Sequence, residues 1–460
     1  MYIEQLYTNC LAEAAYYIES NGESAIIDPL RETEPYIALA AQRKTKIKYV
    51  FETHFHADFV SGHVDLASKT GATIIYGPNA ETGYESYIAK DNEEFNIGKL
   101  TIRVLHTPGH TLESSCYLLL DENGKQHALF SGDTLFVGDV GRPDLAIKSD
   151  LTTRDLAAIM YDSLNNKIKP LHDDVILYPA HGAGSACGKN IGKETFSTIG
   201  VQKKMNYALQ PMSKEAFVDA VTEGLAEPPA YFFMDAMLNK NGYTTIDTVI
   251  EKNLKALSVQ AFALAMKGNA MVLDTRTPDE FESGTVPNAI NIGLNGQYAP
   301  WVGALLNPNT PLLLIAADGK ETEAVLRLAR VGYENVLGYL AGGMNSWKDA
   351  GKQIQITKSI SATEFAKAIN PESIIDVRNA GEWSNGIIEN ANLIALGNLE
   401  KQLHTLDKNK KYFVHCAGGY RSMMAVSIMT KNGFNNVTNV LGGIAKIKEA
   451  GVTLVQPEYV

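Results

Sequence analysis

THFHADF, residues 53–59, follows the apolar run IKYVF and places two histidines at i and i+2 and an aspartate at i+4. On a loop leaving a strand, that spacing can turn several side chains into one cavity. Three further segments share the context. TPGHT at 107–111, SGDT at 131–134 and YPAHG at 178–182 set His110, Asp133 and His181 in Gly-containing loops after apolar runs. Loops that return to one point from distant parts of a chain are a common way to assemble an ion site. Neutral imidazole and carboxylate donors suit iron, zinc or manganese. A single histidine in such a loop is most often an ordinary loop or core residue, but a whole set in matching contexts argues for a metal.

Outward from those loops, residues 1–252 alternate short β-rich runs (AAYYIES, ATIIYGP, SSCYLLLD, HALFSGD) with helical patterns such as TRDLAAIMYDSLNNKI. Chemistry carried by loops at strand ends is expected of a layered αββα sandwich. From residue 255 the chain repeats itself. LDTRTPDEFESGTVPNAINI at 273–292 matches IDVRNAGEWSNGIIENANLI at 375–394, pairing Asp274 with Asp376, Arg276 with Arg378 and Glu280 with Glu382. Further on, VGYENVLGYLAGG at 331–343 matches NGFNNVTNVLGG at 432–443. So long a unit is a duplicated domain rather than a solenoid repeat. Its strand–helix order predicts two α/β domains with parallel sheets, 255–352 and 356–460.

Composition narrows the class. Hydrophobic residues are 45% and charged residues 20% of 460, which allows large cores and argues against disorder. A net charge of −11 argues against a nucleic-acid or anionic-membrane partner. No apolar run approaches the ~18 residues of a membrane span, and MYIEQLYTNC has no secretory pattern. Cys10, Cys116, Cys187 and Cys416 are too scattered for a disulfide framework, so the expected setting is a reducing cytoplasm.

KYFVHC ends a buried strand at Cys416, and RSMMAVSIMTKNG from Arg421 reads as a helix closed by Gly433. Between them, AGGY lets backbone N–H groups turn toward the sulfur. A thiolate ringed by amides at a helix N-terminus is favoured in its charged form and becomes a good nucleophile. Arg421 can bind the oxyanion of an incoming sulfite or thiosulfate. In the first copy the corresponding run is LLLIAADGKETEA, and either Ala316 or Ala317 stands where the cysteine would be. That copy cannot form a cysteine persulfide and is expected to be a spacer or docking surface.

The loop set of residues 1–250 resembles the metallo-β-lactamase superfamily, whose fullest pattern is H-x-H-x-D-H. Here the last position is Phe59, which cannot ligate and would crowd a second ion. The two-metal glyoxalase II branch is therefore disfavoured. The persulfide dioxygenase branch is similar, and the resemblance implies one Fe(II) per chain held by His54, His110 and Asp133, with no organic cofactor. Two histidines and a carboxylate also leave open positions on iron for O2 and a persulfide sulfur. His56, Asp58 and His181 are then expected around the ligands, fixing tautomers and holding water. Arg142 has the fork geometry for a substrate carboxylate. Cys187, near the expected mouth, is a candidate substrate contact. The glutathione-using members have a Tyr two residues after the last His, and here that residue is Ala183. Cys10 and Cys116 are expected buried and inert, and His63 and His106 structural.

Residues 255–455 resemble the rhodanese sulfurtransferases through their DxR…E and GG…W elements. C-x4-R from Cys416 to Arg421 is the shorter loop of sulfur carriers, whereas related phosphatases have C-x5-R. The whole chain resembles bacterial persulfide dioxygenase–rhodanese fusions. The implied partners are a low-molecular-weight persulfide, O2, and sulfite or thiosulfate, in a cytoplasmic homo-oligomer. The alternative is a glyoxalase II-like zinc thioesterase fused to a sulfurtransferase.

Overall fold

A computed structural model describes residues 1–145, 150–225, 227–368 and 373–457. Two compact units emerge. One holds Met1–Val249 with the short segment Leu328–Tyr333, and the other holds Ile250–Arg327 and Glu334–Val460. Apart from Leu328–Tyr333, both sequence repeats lie in one unit. Among the described residues, no helix is long and apolar enough to cross a membrane.

The first unit is an αββα sandwich of two six-stranded sheets. One runs Tyr2–Thr8, Glu13–Ser20, Glu23–Ile27, Lys46–Phe51, Thr73–Tyr76, Tyr87–Ile88. The other runs Ser197–Thr198, Ile176–Pro179, Gln126–Gly132, Ser115–Leu120, Leu100–His106, Glu94–Ile97. Period-two alternation builds the layers. Tyr16 and Ile18 join Phe51, Ile102, Tyr117 and Phe130 between the sheets. Ala15 and Tyr17 face the other way, packing with Tyr36, Ala40 and Leu66 of the helices Glu34–Arg43 and His63–Thr70. Across the sandwich, Leu118 and Leu129 pack with Ala157, Met160 and Phe217 of Thr153–Ser163 and Lys214–Thr222. Each buried Leu, Ile, Phe or Met among them contributes about 1.5–3 kcal/mol, so a one-residue slip in any central strand would be costly.

The second unit contains two five-stranded sheets whose paired strands are all parallel. Strand order in the first is Ala256–Leu257, Val336–Leu340, Leu312–Ile315, Met271–Asp274, Ile290–Asn291. The second runs Lys358–Ile360, Val437–Val440, Tyr412–His415, Ile374–Asp376, Asn392–Leu393. Register settles an alignment that the sequence left open. Asp274 lies opposite Ile315 and Asp376 opposite His415. Ala316 is thus the counterpart of Cys416.

Candidate functional site

Four strand ends deliver the expected metal residues. His54 follows Lys46–Phe51, His110 follows Leu100–His106, Asp133 follows Gln126–Gly132, and His181 follows Ile176–Pro179. All four are buried. Three imidazole Nε2 atoms converge on Asp133: His110 at 3.4 Å and His54 at 3.9 Å from Oδ2, and His181 at 3.5 Å from Oδ1. The other ring nitrogens are fixed. His110 Nδ1 lies 2.8 Å from the Arg142 carbonyl and His181 Nδ1 3.2 Å from the Ala12 carbonyl. A carbonyl only accepts, so each Nδ1 carries a proton and each Nε2 is left facing a carboxylate, the place where a cation would be held. Both Asp133 oxygens and His181 Nε2 are buried with no hydrogen-bond partner, which marks a buried His/Asp metal-binding site.

The sequence reading missed what orients His54. His54 Nδ1 is 3.0 Å from Thr53 Oγ1, and Thr53 donates its hydroxyl and its N–H to Asp28 at 2.9 and 2.7 Å. The available signal was Asp28 itself, an acidic residue closing the apolar run SAII. Gly141 is a close approach: a Cβ there would overlap the Asp133 carbonyl and crowd His110 Nδ1.

His56 lies beside His54, 4.3 Å between ring centroids, but its Nε2 goes to other carboxylates. Its Nε2 lies 3.1 Å from Asp28 and 3.5 Å from Glu52, and its ring packs on buried Phe59 at 4.4 Å between centroids. Burial, then the Asp28 charge, pushes the Glu52 carboxyl well up. Potential donor atoms therefore form three groups: His54, His110 and Asp133; Asp58, His181 and Cys187; Asp28, Glu52 and His56. Burial holds His54 well below the usual imidazole range, reinforced by His56 and His110. For His181 burial acts downward too, but the Asp58 and Asp133 carboxylates outweigh it and the net shift is upward.

Arg142 presents no free fork. Its Nε and Nη2 donate to Asp144 at 2.7 and 2.8 Å, and its backbone accepts from His110 and donates to the Cys187 carbonyl. Packed this way it braces the metal loops, which corrects the expectation of a substrate clamp. Cys187 is buried rather than at a mouth, and burial, then the Asp58 and Asp133 charges, pushes its thiol well up. Cys10 is partly exposed in the turn before Glu13–Ser20, not buried in a strand. Cys116 is buried, its thiol pushed up to about 11 by burial. His63 is fully buried among Tyr76, Tyr84 and Tyr243, and burial lowers it to about 3. His106 bonds the Leu112 carbonyl at 3.0 Å.

In the second repeat, Cys416 ends the strand Tyr412–His415 and the helix Tyr420–Lys431 begins four residues later. Gly419, at φ +110°, donates its N–H to Cys416 Sγ at 3.1 Å, and Ser422 Oγ lies 3.7 Å from the sulfur. Arg421 is not free: Nη1 and Nη2 donate to Glu382 at 2.6 and 2.7 Å. That hydrogen-bonded pairing lowers the Glu382 carboxyl. The first repeat reaches this loop directly. Tyr420 donates its hydroxyl to the Gly293 carbonyl at 2.6 Å, Ser427 Oγ accepts from Asn291 N–H, and Met423 joins the first repeat's apolar core.

Known protein families match three stretches of the chain. The metallo-beta-lactamase superfamily matches residues 8–181, and the rhodanese-like domain matches residues 258–350 and 361–450. A curated relative, the probable hydroxyacylglutathione hydrolase glo2 of Schizosaccharomyces pombe (strain 972 / ATCC 24843), is 31% identical over 188 residues, 40% of this chain and 68% of that protein. Others of this kind are spanned over as little as 53% of their length. A crystal structure described as a metallo-beta-lactamase from Staphylococcus aureus subsp. aureus COL superposes with TM-score 0.66 at 30% identity, covering 74% of this chain and 98% of that one. ETHE1 from Myxococcus xanthus superposes with TM-score 0.45 at 27% identity, covering 52% and 99% respectively.

Proposed function

The chain belongs to the metallo-beta-lactamase superfamily and carries two rhodanese-like domains, and on that premise we propose a persulfide dioxygenase joined to a sulfurtransferase. A low-molecular-weight thiol persulfide would be oxidised by O2 and water to sulfite and the free thiol. The site for this is the His54, His110 and Asp133 group, holding one Fe(II), in a reducing cytoplasm. The observation that carries the reading is the diversion of His56 to Asp28 and Glu52. It leaves two imidazoles and one carboxylate, the donor set of non-haem iron oxygenases. Bound iron would supply the redox chemistry with O2. The protein's own part is to fix the tautomers through Thr53 and the Arg142 carbonyl, and to exclude bulk water by burial.

At the other site, the Cys416 thiolate would take the outer sulfur of a persulfide and release the carrier thiol. Sulfite would then attack that sulfur through its own sulfur lone pair, forming the S–S bond of thiosulfate while the Cys416 thiolate leaves. The Gly419 N–H supports the charged sulfur in both steps. Arg421, held beside it by Glu382, supplies positive charge for the sulfite oxygens.

A second reading, a zinc thioesterase fused to a sulfurtransferase, is favoured by the names of the curated relatives. One experiment separates the two: oxygen uptake by iron-loaded protein across a panel of persulfides, beside thioester cleavage by zinc-loaded protein. Uptake with sulfite release is expected. Thioester turnover without oxygen uptake would replace the dioxygenase reading with the hydrolase.

A further inference from the structure

On the reading above, which makes His54, His110 and Asp133 the iron group and on which this step rests, we infer that Asn239 is a positioning residue for that group. Its side chain clamps the loop from His56 to Ser61 and keeps the His56 imidazole off the ion.

Asn239 lies in the helix Phe232–Asn241 and is fully buried. Its Nδ2 donates to the His56 carbonyl at 2.7 Å and to the Phe59 carbonyl at 2.8 Å, and its Oδ1 accepts the Ser61 N–H at 2.9 Å. Two carbonyls on one side and an N–H on the other admit a single orientation of the amide. A buried amide costs stability unless it is satisfied, and these three bonds all go to the backbone of one loop. Residue 239 lies outside 8–181, the stretch that matches the superfamily, so the spacing of H-x-H-x-D gives no sign of it.

What the clamp fixes is His56. Its ring centroid is 4.3 Å from that of His54, so direction rather than distance keeps it from the ion. With the carbonyls of His56 and Phe59 both held, the Phe59 ring lies against the His56 ring at 4.4 Å, and Nε2 is left to Asp28 and Glu52. Release of the loop would let this imidazole join the ligands and fill a position that a two-histidine, one-carboxylate centre leaves open.

The helix has anchors besides the amide. Tyr84 donates its hydroxyl to the Asn239 carbonyl at 2.7 Å, Gly83 N–H donates to the Lys240 carbonyl at 2.8 Å, and Tyr243 donates its hydroxyl to the Ser61 carbonyl. Positioning and stability can therefore be separated by experiment.

The test is cobalt(II) binding by chelator-stripped, full-length protein, read by its visible d–d spectrum. Beside it, kcat and KM are measured for persulfide-dependent oxygen uptake by iron-loaded protein. Asn239→Asp keeps an acceptor for Ser61 and loses both donors. It should change the cobalt spectrum and lower kcat roughly 10–100-fold with KM little changed. Adding His56→Gln, which can still donate to Asp28 and Glu52, should return the spectrum to that of His56→Gln alone. Tyr84→Phe, which loosens the helix and spares the clamp, should lower the melting temperature with the spectrum unchanged. A wild-type spectrum in Asn239→Asp, or a change that survives His56→Gln, overturns the inference. Asn239→Ser decides the matter should Asn239→Asp fail to fold. The expected spectral changes in a protein that takes up no oxygen would overturn the dioxygenase and leave the clamp standing.

Discussion

The two rhodanese-like repeats share a skeleton and differ in charge. Each has the same parallel strand order, a buried Asp–Arg pair (Asp274–Arg276 and Asp376–Arg378) and a double-glycine turn at positive φ. In the shared register Ala316 stands for Cys416, and Asp318 and Glu321 follow it where the second repeat has the loop that runs to Arg421. In the first repeat a cavity of about 410 Å³ lies among Arg276, Glu280, Asp318, Glu321 and the Gly342–Gly343 turn. Its nucleophile is gone, and three carboxylates, Glu280, Asp318 and Glu321, line the cavity. What this repeat keeps is contact with its neighbour: Gly293 receives the Tyr420 hydroxyl, and a Cβ on Gly296 would lie 2.5 Å from the Tyr420 ring. The lesson is that losing a catalytic residue left the surface that holds the other repeat's loop.

The comparison can be broken most severely at the sulfur. Cys416→Ser should lower thiosulfate:thiol transfer by roughly 10³-fold or more, since the persulfide carrier is lost. Adding Ala316→Cys should not restore it, because Glu280, Asp318 and Glu321 line that cavity and would repel an anionic sulfur donor. Rescue by Ala316→Cys alone, in a steady-state transfer assay, would show that these carboxylates are immaterial.

Next in size is the Arg421–Glu382 pair. Arg421→Gln should reduce kcat/KM for thiosulfate about 10–100-fold, equivalent to ~1.4–2.8 kcal/mol, with Glu382→Gln milder. Equal transfer rates in wild type and Arg421→Gln would remove the arginine from the mechanism.

A smaller effect is expected at the contact between repeats. Gly296→Ala crowds the Tyr420 ring and should cost about 1–3 kcal/mol by overpacking, and Tyr420→Phe about 0.5–1.5 kcal/mol by losing one hydrogen bond. Urea unfolding measures both. Transfer rates that fall with stability unchanged would sharpen the docking role.

The smallest concerns pH. Glu382 is lowered in the folded chain by its hydrogen-bonded pairing with Arg421, so its contribution is complete above the ordinary glutamate value of 4.5 and is lost as pH falls through the lower, folded value. The pair is partly exposed, so a few tenths of a kcal/mol is expected. Thermal melts should show the advantage of wild type over Arg421→Gln shrinking by that amount as pH falls from 5 toward 3.

Much of this architecture is written in local pattern. Alternation such as Tyr16 and Ile18 against Ala15 and Tyr17 dictates a strand buried on both faces, and the match of 273–292 to 375–394 dictates a duplicated domain. Candidate loop chemistry was legible where residue type and glycine context coincide, as at His110, Asp133, His181 and Cys416, and at His54 from the H-x-H-x-D spacing. Contacts were not. Nothing in the spacing of H-x-H-x-D tells that His56 turns to Asp28 and Glu52, or that Arg142 is paired with Asp144.

The chain's own pattern thus determined the layers, the duplication and the side chains able to bind metal or carry sulfur, because period and spacing are properties of a single segment. Only tertiary structure decided which donors share a cavity, that Cys187 stands beside Asp58 and His181, and that Ala316 is the counterpart of Cys416. Those are distances between segments far apart in sequence, fixed by sheet register and core packing rather than by neighbours along the backbone.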